Sequence, residues 1–200
     1  MKSETTIQTK YKAYRALAKD GDLILWRKNN SIMASLIRFF DNHYIDDSGK
    51  KVKDPAKWNH ISVVYWGRAK RLLNSDAWSN GVASVPCSHR VRYYDDFMVL
   101  RLNTTKPQFI NQAIDKVLLN DWVADVPYDH FTLLRIAIWK RTGIDFTFLG
   151  DPYRRAICSR LAQKFCMACR IGCYNFIDKI TPQDFVRFAD KDEVEVLEIE

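Results

Sequence analysis

Apolar and polar positions along the 200-residue chain separate into segments of two periods. Residues 8–19 ("QTKYKAYRALAK") carry an amphipathic helical pattern closed by "DGD", and "DLILWR" (22–27) reads as a short buried strand. "SIMASLIRFFDN" (31–42) has helical spacing, with Ser31 placed to cap it and apolar residues at Ile32, Leu36, Phe39 and Phe40. The polar, turn-rich "HYIDDSGKKVKDPAK" is expected to be a loop. "WNHISVVYWG" (58–67), rich in β-branched and aromatic residues, predicts a central strand, and "RLLNSDAW" (71–78) can pair with it across a turn at 68–70. "GVASVP" and "DFMVLRLN" predict two further strands.

The C-terminal half is mostly helical in pattern. "PQFINQAIDKVLLNDW" (107–122) opens with proline in its first turn, and "TLLRIAIWKR" follows "YDHF". The cysteine-bearing segment predicts a third helix. "TPQDFVRFA" predicts a fourth, with Thr181 at the cap, Pro182 at the first position and Asp184 in the first turn. The strictly alternating "EVEVLEIE" is compatible with an edge strand. Strands in the middle with helices towards both ends predict an α+β fold with a mainly antiparallel sheet. One domain spanning 1–200 is expected, with an N-terminal helix within 1–20 and an acidic tail at 190–200.

Composition changes this picture in two respects. There is no N-terminal apolar segment with a cleavage site and no apolar run long enough to span a bilayer, so a cytoplasmic protein is expected. The net charge is +7, yet Asp190–Glu200 carries −5, leaving +12 on the remainder. Such a field favours an anionic partner, a surface or a polymer, and is equally compatible with a solvated basic face.

Five cysteines, four of them within 158–173, argue against a disulfide scaffold. Turned at about 100° per residue, the segment puts Cys158, Leu161, Ala162, Phe165, Cys166, Cys169 and Cys173 on one face, with Arg160, Gln163, Lys164 and Arg170 opposite. Cys166 and Cys169 form a single close pair inside a helix, without the second pair that structural zinc requires. They and Cys173 read as small apolar core residues, and no metal or other cofactor is expected.

Cys158 differs by position. A thiol at a helix start meets the positive end of the dipole and free N–H groups that favour a thiolate and can hold an oxyanion. Arg154 and Arg155 add charge nearby. Of the four histidines, His43 lies in the polar loop, His89 after a strand and His130 at a helix start. His60 alone begins a central strand, with Trp58 and Trp66 expected on its face. The next strand offers Asp76, flanked by Ser75 and Asn74, to orient the imidazole, a base held by a third group.

The ordered series "GDLIL", "WNHISVV", "DAWSNGV", "VLRL", "YD..F", "CSRL" and "TPQDF" resembles the YiiX/YebB-like branch of the NlpC-type cysteine hydrolases, from Gly21 to about Phe188. The resemblance implies a circularly permuted papain-like fold in which His and the acid precede Cys. It also implies Cys158 as nucleophile, His60 as base and Asp76 in place of the family's glutamate. Asn59 stands where Ser or Thr usually precedes the histidine, Ile157 where an aromatic often precedes the cysteine, and Arg160 where an acid often follows Ser159. The implied activity is a thiol hydrolase or acyltransferase acting on an amide or ester, with a peptide, a peptidoglycan-like stem or an acyl group as substrate. The alternative is a non-catalytic module of the same fold holding an anionic partner such as nucleic acid or lipid headgroups, with tryptophans as stacking platforms.

Overall fold

The computed structural model describes residues 2–30, 35, 37–39, 41–45, 50–78, 81–103, 106–120, 127–145, 157–175 and 179–199. Helix α1 (Lys2–Leu17) leads into β1 (Leu23–Arg27). The hairpin β2 (His43–Ile45) and β3 (Lys51–Lys53) follows, then β4 (His60–Gly67), β5 (Arg71–Trp78) and β6 (Gly81–Pro86). After the short α2 (Cys87–Val91) comes β7 (Asp96–Leu102), then α3 (Pro107–Ala113), continued by a π-helical stretch Ile114–Leu119. Helices α4 (His130–Thr142), α5 (Cys158–Ala168) and α6 (Asp184–Arg187) precede the last strand, β8 (Val194–Leu197). The fold is α+β: six strands in the order β6-β5-β4-β1-β7-β8 form one sheet, and every neighbouring pair is antiparallel.

The near-continuous apolar runs of β1 and β4 have a simple cause. Both strands lie in the middle of the sheet and are covered on both faces, so the alternation of a half-exposed strand is lost. Ile24, Trp26, Val64, Phe97 and Val99 pack towards α1 and α2 with Ile7 and Tyr14. Leu23, Leu25, Ile61, Val63 and Leu100 pack on the other side with Leu118, Leu161 and Phe165. The start of β1 is set by Gly21, whose φ of +86° is cheap only for glycine, and by buried Asp22. The Asp22 carboxylate accepts from Arg101 Nε at 2.9 Å and from the Tyr14 hydroxyl at 3.1 Å. The "GDL" triplet is thus accounted for by a turn and a buried ion pair.

Several elements differ from their sequence pattern. The polar segment 43–57 contains the β2–β3 hairpin, whose three-residue strands are too short to show a period. Helix α5 ends at Ala168, so Cys169 sits at its C-terminal boundary and Cys173 lies in a following turn, half-buried. The last helix begins at Asp184, because the Asp184 carboxylate folds back to accept from the Thr181 N–H and hydroxyl, both at 2.8 Å. Ser31 lies outside the described residues, as do Trp122 and the Arg154–Arg155 pair.

A buried ionic cluster fixes the C-terminal helices to the segment ahead of β4. Lys140 of α4 meets Asp41 at 2.6 Å and Asp184 at 2.9 Å. Arg187 of α6 meets Asp41 at 2.7 Å and Asp54 at 2.6 Å. Burial pushes the Asp41 carboxyl up, against the pull of Lys140. Beside this cluster, Gln183 Oε1 accepts from the backbone N–H of Lys57 at 2.9 Å and of Trp58 at 3.3 Å. The chain is therefore held on both sides just before His60.

Candidate active site

His60 is the first residue of β4 and Asp76 lies near the end of β5, so the antiparallel hairpin returns both to one end of the sheet. Val63 faces Ser75, which puts the Asp76 side chain on the same sheet face as His60. The shorter acid does reach: His60 Nε2 and Asp76 Oδ2 are 2.9 Å apart, and both residues are buried. Of the two alternatives, Asn74 contacts the carboxylate, its Nδ2 donating to Asp76 Oδ2 at 3.2 Å. Its Oδ1 accepts from the Ser62 hydroxyl, which in turn accepts from Trp26 Nε1 at 2.7 Å. That chain settles which way the Asn74 amide points. Ser75 alternates onto the opposite face.

Cys158, buried, is the first residue of α5 and also hydrogen-bonds to His60. Residue 157, just ahead of the helix, is isoleucine and has no polar side chain to cap the first N–H groups. Ser159 is turned away: its hydroxyl donates to the Ile180 carbonyl at 2.7 Å, which ties the helix start to the segment before α6. Burial alone would push the His60 imidazole down. The charge of Cys158, the hydrogen bonds that the ring makes to Asp76 and Cys158 and the charge of Asp76 outweigh it and raise His60 to about 9. His60 therefore holds its proton at neutral pH.

Sequence reasoning missed two residues here. Arg90 of α2 donates to Asp76 Oδ1 at 2.6 Å. Tyr94 lies against His60 with ring planes 11° apart and centroids separated by 5.9 Å, and Trp26 stacks behind it at 5.0 Å. Neither carried a signal, because α2 is too short for periodicity and Tyr94 belongs to no strand or helix. Tyr128, of the "YD" pair, lies within electrostatic reach of Cys158 and Asp76, and burial pushes its hydroxyl well up.

The other cysteines stand apart. Burial pushes Cys87 and Cys169 up to about 12, Cys173 up to about 11 and Cys166 well above the usual thiol range. Trp66 packs with the cluster on His60's face, whereas Trp58, just ahead of the strand, packs with the Cys158 side. Trp26 and Trp58 are fully buried and offer no stacking platform. His43 lies on β2 and His89 on α2, facing Tyr93. His130 starts α4.

Among the described residues, no group of three or more His, Cys, Asp or Glu is placed to hold a metal ion, and no helix is long and apolar enough to cross a membrane. No family model matches the chain, and no curated protein matches it. A solved structure, the metalloprotein yiiX from Escherichia coli O157:H7, superposes with a TM-score of 0.49 at 12% identity, covering 91% of this chain and 97% of that one.

Proposed function

We propose that the chain is a thiol hydrolase or acyltransferase of permuted papain-like design, acting on an amide or ester bond. The observation that carries this reading is the buried His60, which bridges the Asp76 carboxylate and the thiol at the start of α5. In this reading Cys158 Sγ attacks the carbonyl carbon, and the oxyanion settles on backbone N–H groups of the first α5 turn. His60 passes its proton to the departing nitrogen or oxygen as the carbon–heteroatom bond breaks, leaving a thioester on Cys158. His60 then takes a proton from water, or from the hydroxyl or amine of an acceptor, whose oxygen or nitrogen displaces the sulfur. Asp76 keeps the ring in place and stabilises its charged form. The substrate class proposed is a peptide, including a cell-wall stem peptide, or an acyl ester. The site's own residues suffice for these steps.

The test is to trap the acyl-enzyme. A panel of activated esters and short peptide amides is incubated with the protein, quenched in acid and mapped by mass spectrometry. A stoichiometric acyl adduct on Cys158, lost in Cys158→Ala and at least tenfold slower to form in His60→Ala, is the expected outcome. Adducts spread over several cysteines, or an unchanged rate in His60→Ala, would overturn the reading.

A further inference from the structure

The proposed triad does not account for the second oxygen of its acid. Asp76 is fully buried, and among the described residues its carboxylate meets three side-chain donors: His60 and Asn74 on Oδ2, Arg90 on Oδ1. The Arg90 contact is the shortest of the three, at 2.6 Å, and the Arg90 side chain is only 13% exposed. It comes from a fixed element, since α2 is anchored by buried Cys87 and Val91 in the cluster beneath α1.

We propose that Arg90 is a positioning residue for the reaction above: it holds Asp76 Oδ1 so that Oδ2 stays aimed at His60, and it takes up the carboxylate's charge. This inference rests on the reading of Cys158 and His60 as nucleophile and base. Three groups then stand in a row with alternating charge, Arg90 positive, Asp76 negative and His60 positive, and the Cys158 sulfur is hydrogen-bonded at the end of the row. A buried set of charges is tolerable when it is neutral and mutually bonded. With Arg90 present, the imidazolium is left to balance the negative charge that develops on the sulfur as it reacts. With Arg90 neutralised, Asp76 claims the imidazolium for itself, and that developing charge goes unbalanced. The other titratable neighbours do not disturb this balance among the described residues. Tyr94 and Tyr128 are pushed well up by burial and Cys87 up to about 12, so all three are neutral near pH 7.

The experiment is the pH–rate profile for alkylation of Cys158 by iodoacetamide, read peptide by peptide, in the full chain. Arg90→Gln keeps a donor without the charge, and Arg90→Lys keeps the charge. The expected result is a profile moved upward by at least one pH unit in Arg90→Gln, about tenfold slower at pH 7, with Arg90→Lys near the wild type. Arg90→Met, an unbranched uncharged side chain, carries the test if Arg90→Gln alone does not fold. A profile in Arg90→Gln that superimposes on the wild type, or one shifted as far in Arg90→Lys, overturns the proposal, whatever the melting temperatures do. His60→Ala serves as the control: unchanged alkylation there sinks the functional reading itself, whereas a slowed His60→Ala beside an unshifted Arg90→Gln sinks only the role of Arg90.

Discussion

His60 is subject to opposing influences. Burial disfavours its charge, and the Cys158 sulfur is the largest influence in the other direction. Removing that sulfur in Cys158→Ala leaves Asp76 to oppose burial without its help, so the His60 pKa should fall clearly below the wild-type value of about 9. An NMR titration of the histidine ring protons measures this directly, and an unmoved His60 would mean that sulfur and ring are not coupled. The sign for stability follows. A histidine whose folded pKa is raised to about 9 from 6.5 contributes stability that is fully present below about 6.5 and lost as pH climbs through 9. Cys158→Ala should flatten that loss. Much of this site was legible residue by residue, because a cysteine ahead of an amphipathic helix and a histidine at a strand start are local patterns. Arg90 and Tyr94 were not. What gives them their places is the way α2 folds back over β5, and neither the spacing nor the composition of "CSHRVRYYDD" encodes that contact.

At the scale of elements, the β4–β5 hairpin is what joins His60 to Asp76, and its turn is strained. Ala69 (φ 60°) and Lys70 (φ 53°) both occupy the left-handed region, where a side chain costs about 1–2 kcal/mol per residue. Hairpin turns of this hand favour Asn-Gly for that reason. Lys70→Gly should therefore stabilise the protein by about 0.5–1 kcal/mol once glycine's own entropy is subtracted. A thermal melt should rise by roughly 1–4 °C, with alkylation of Cys158 unchanged. A fall in the melting temperature would mean that Arg68, Lys70 and Arg71, all exposed, make contacts whose loss outweighs the relief. The hairpin itself was readable, since a β-branched and aromatic strand and a second strand able to pair with it flank a short basic turn. The β2–β3 hairpin was not, because strands of three residues carry less than two periods. The helical wheel likewise ran past the true end of α5. Nothing in "FCMACRIGC" marks the break, and it is Arg170, at φ 64°, that turns the chain out of the helix.

For the whole molecule, the uneven charge raises the question of what the acidic C-terminus does. Two readings were open, a screen over a basic face or an edge strand, and β8 pairs antiparallel with β7 from Leu102↔Val194 to Val99↔Leu197. Val194 is buried, and Glu193 just before it accepts from the N–H groups of Gly172 at 2.9 Å and Cys173 at 2.6 Å. Burial pushes the Glu193 carboxyl up, and the hydrogen bonds from Gly172 and Cys173 together outweigh it and hold the carboxyl below its usual range. One short segment thus closes the sheet edge and ties down the chain leaving α5, the helix that carries Cys158. Deleting 190–200 removes the apolar burial of Val194 and part of that of Leu197, about 3 kcal/mol together, and bares the β7 edge. The melting temperature should fall by roughly 6–12 °C. Glu193→Gln, which keeps the strand but weakens the grip on Gly172 and Cys173, should lose a smaller part of it. Heparin binding measured beside the melts separates the two readings. A deletion that binds heparin more tightly while melting at the wild-type temperature would restore the screen. A clear loss of stability, with a gain in binding no greater than the added net charge explains and erased by salt, leaves the tail as the strand that completes the sheet.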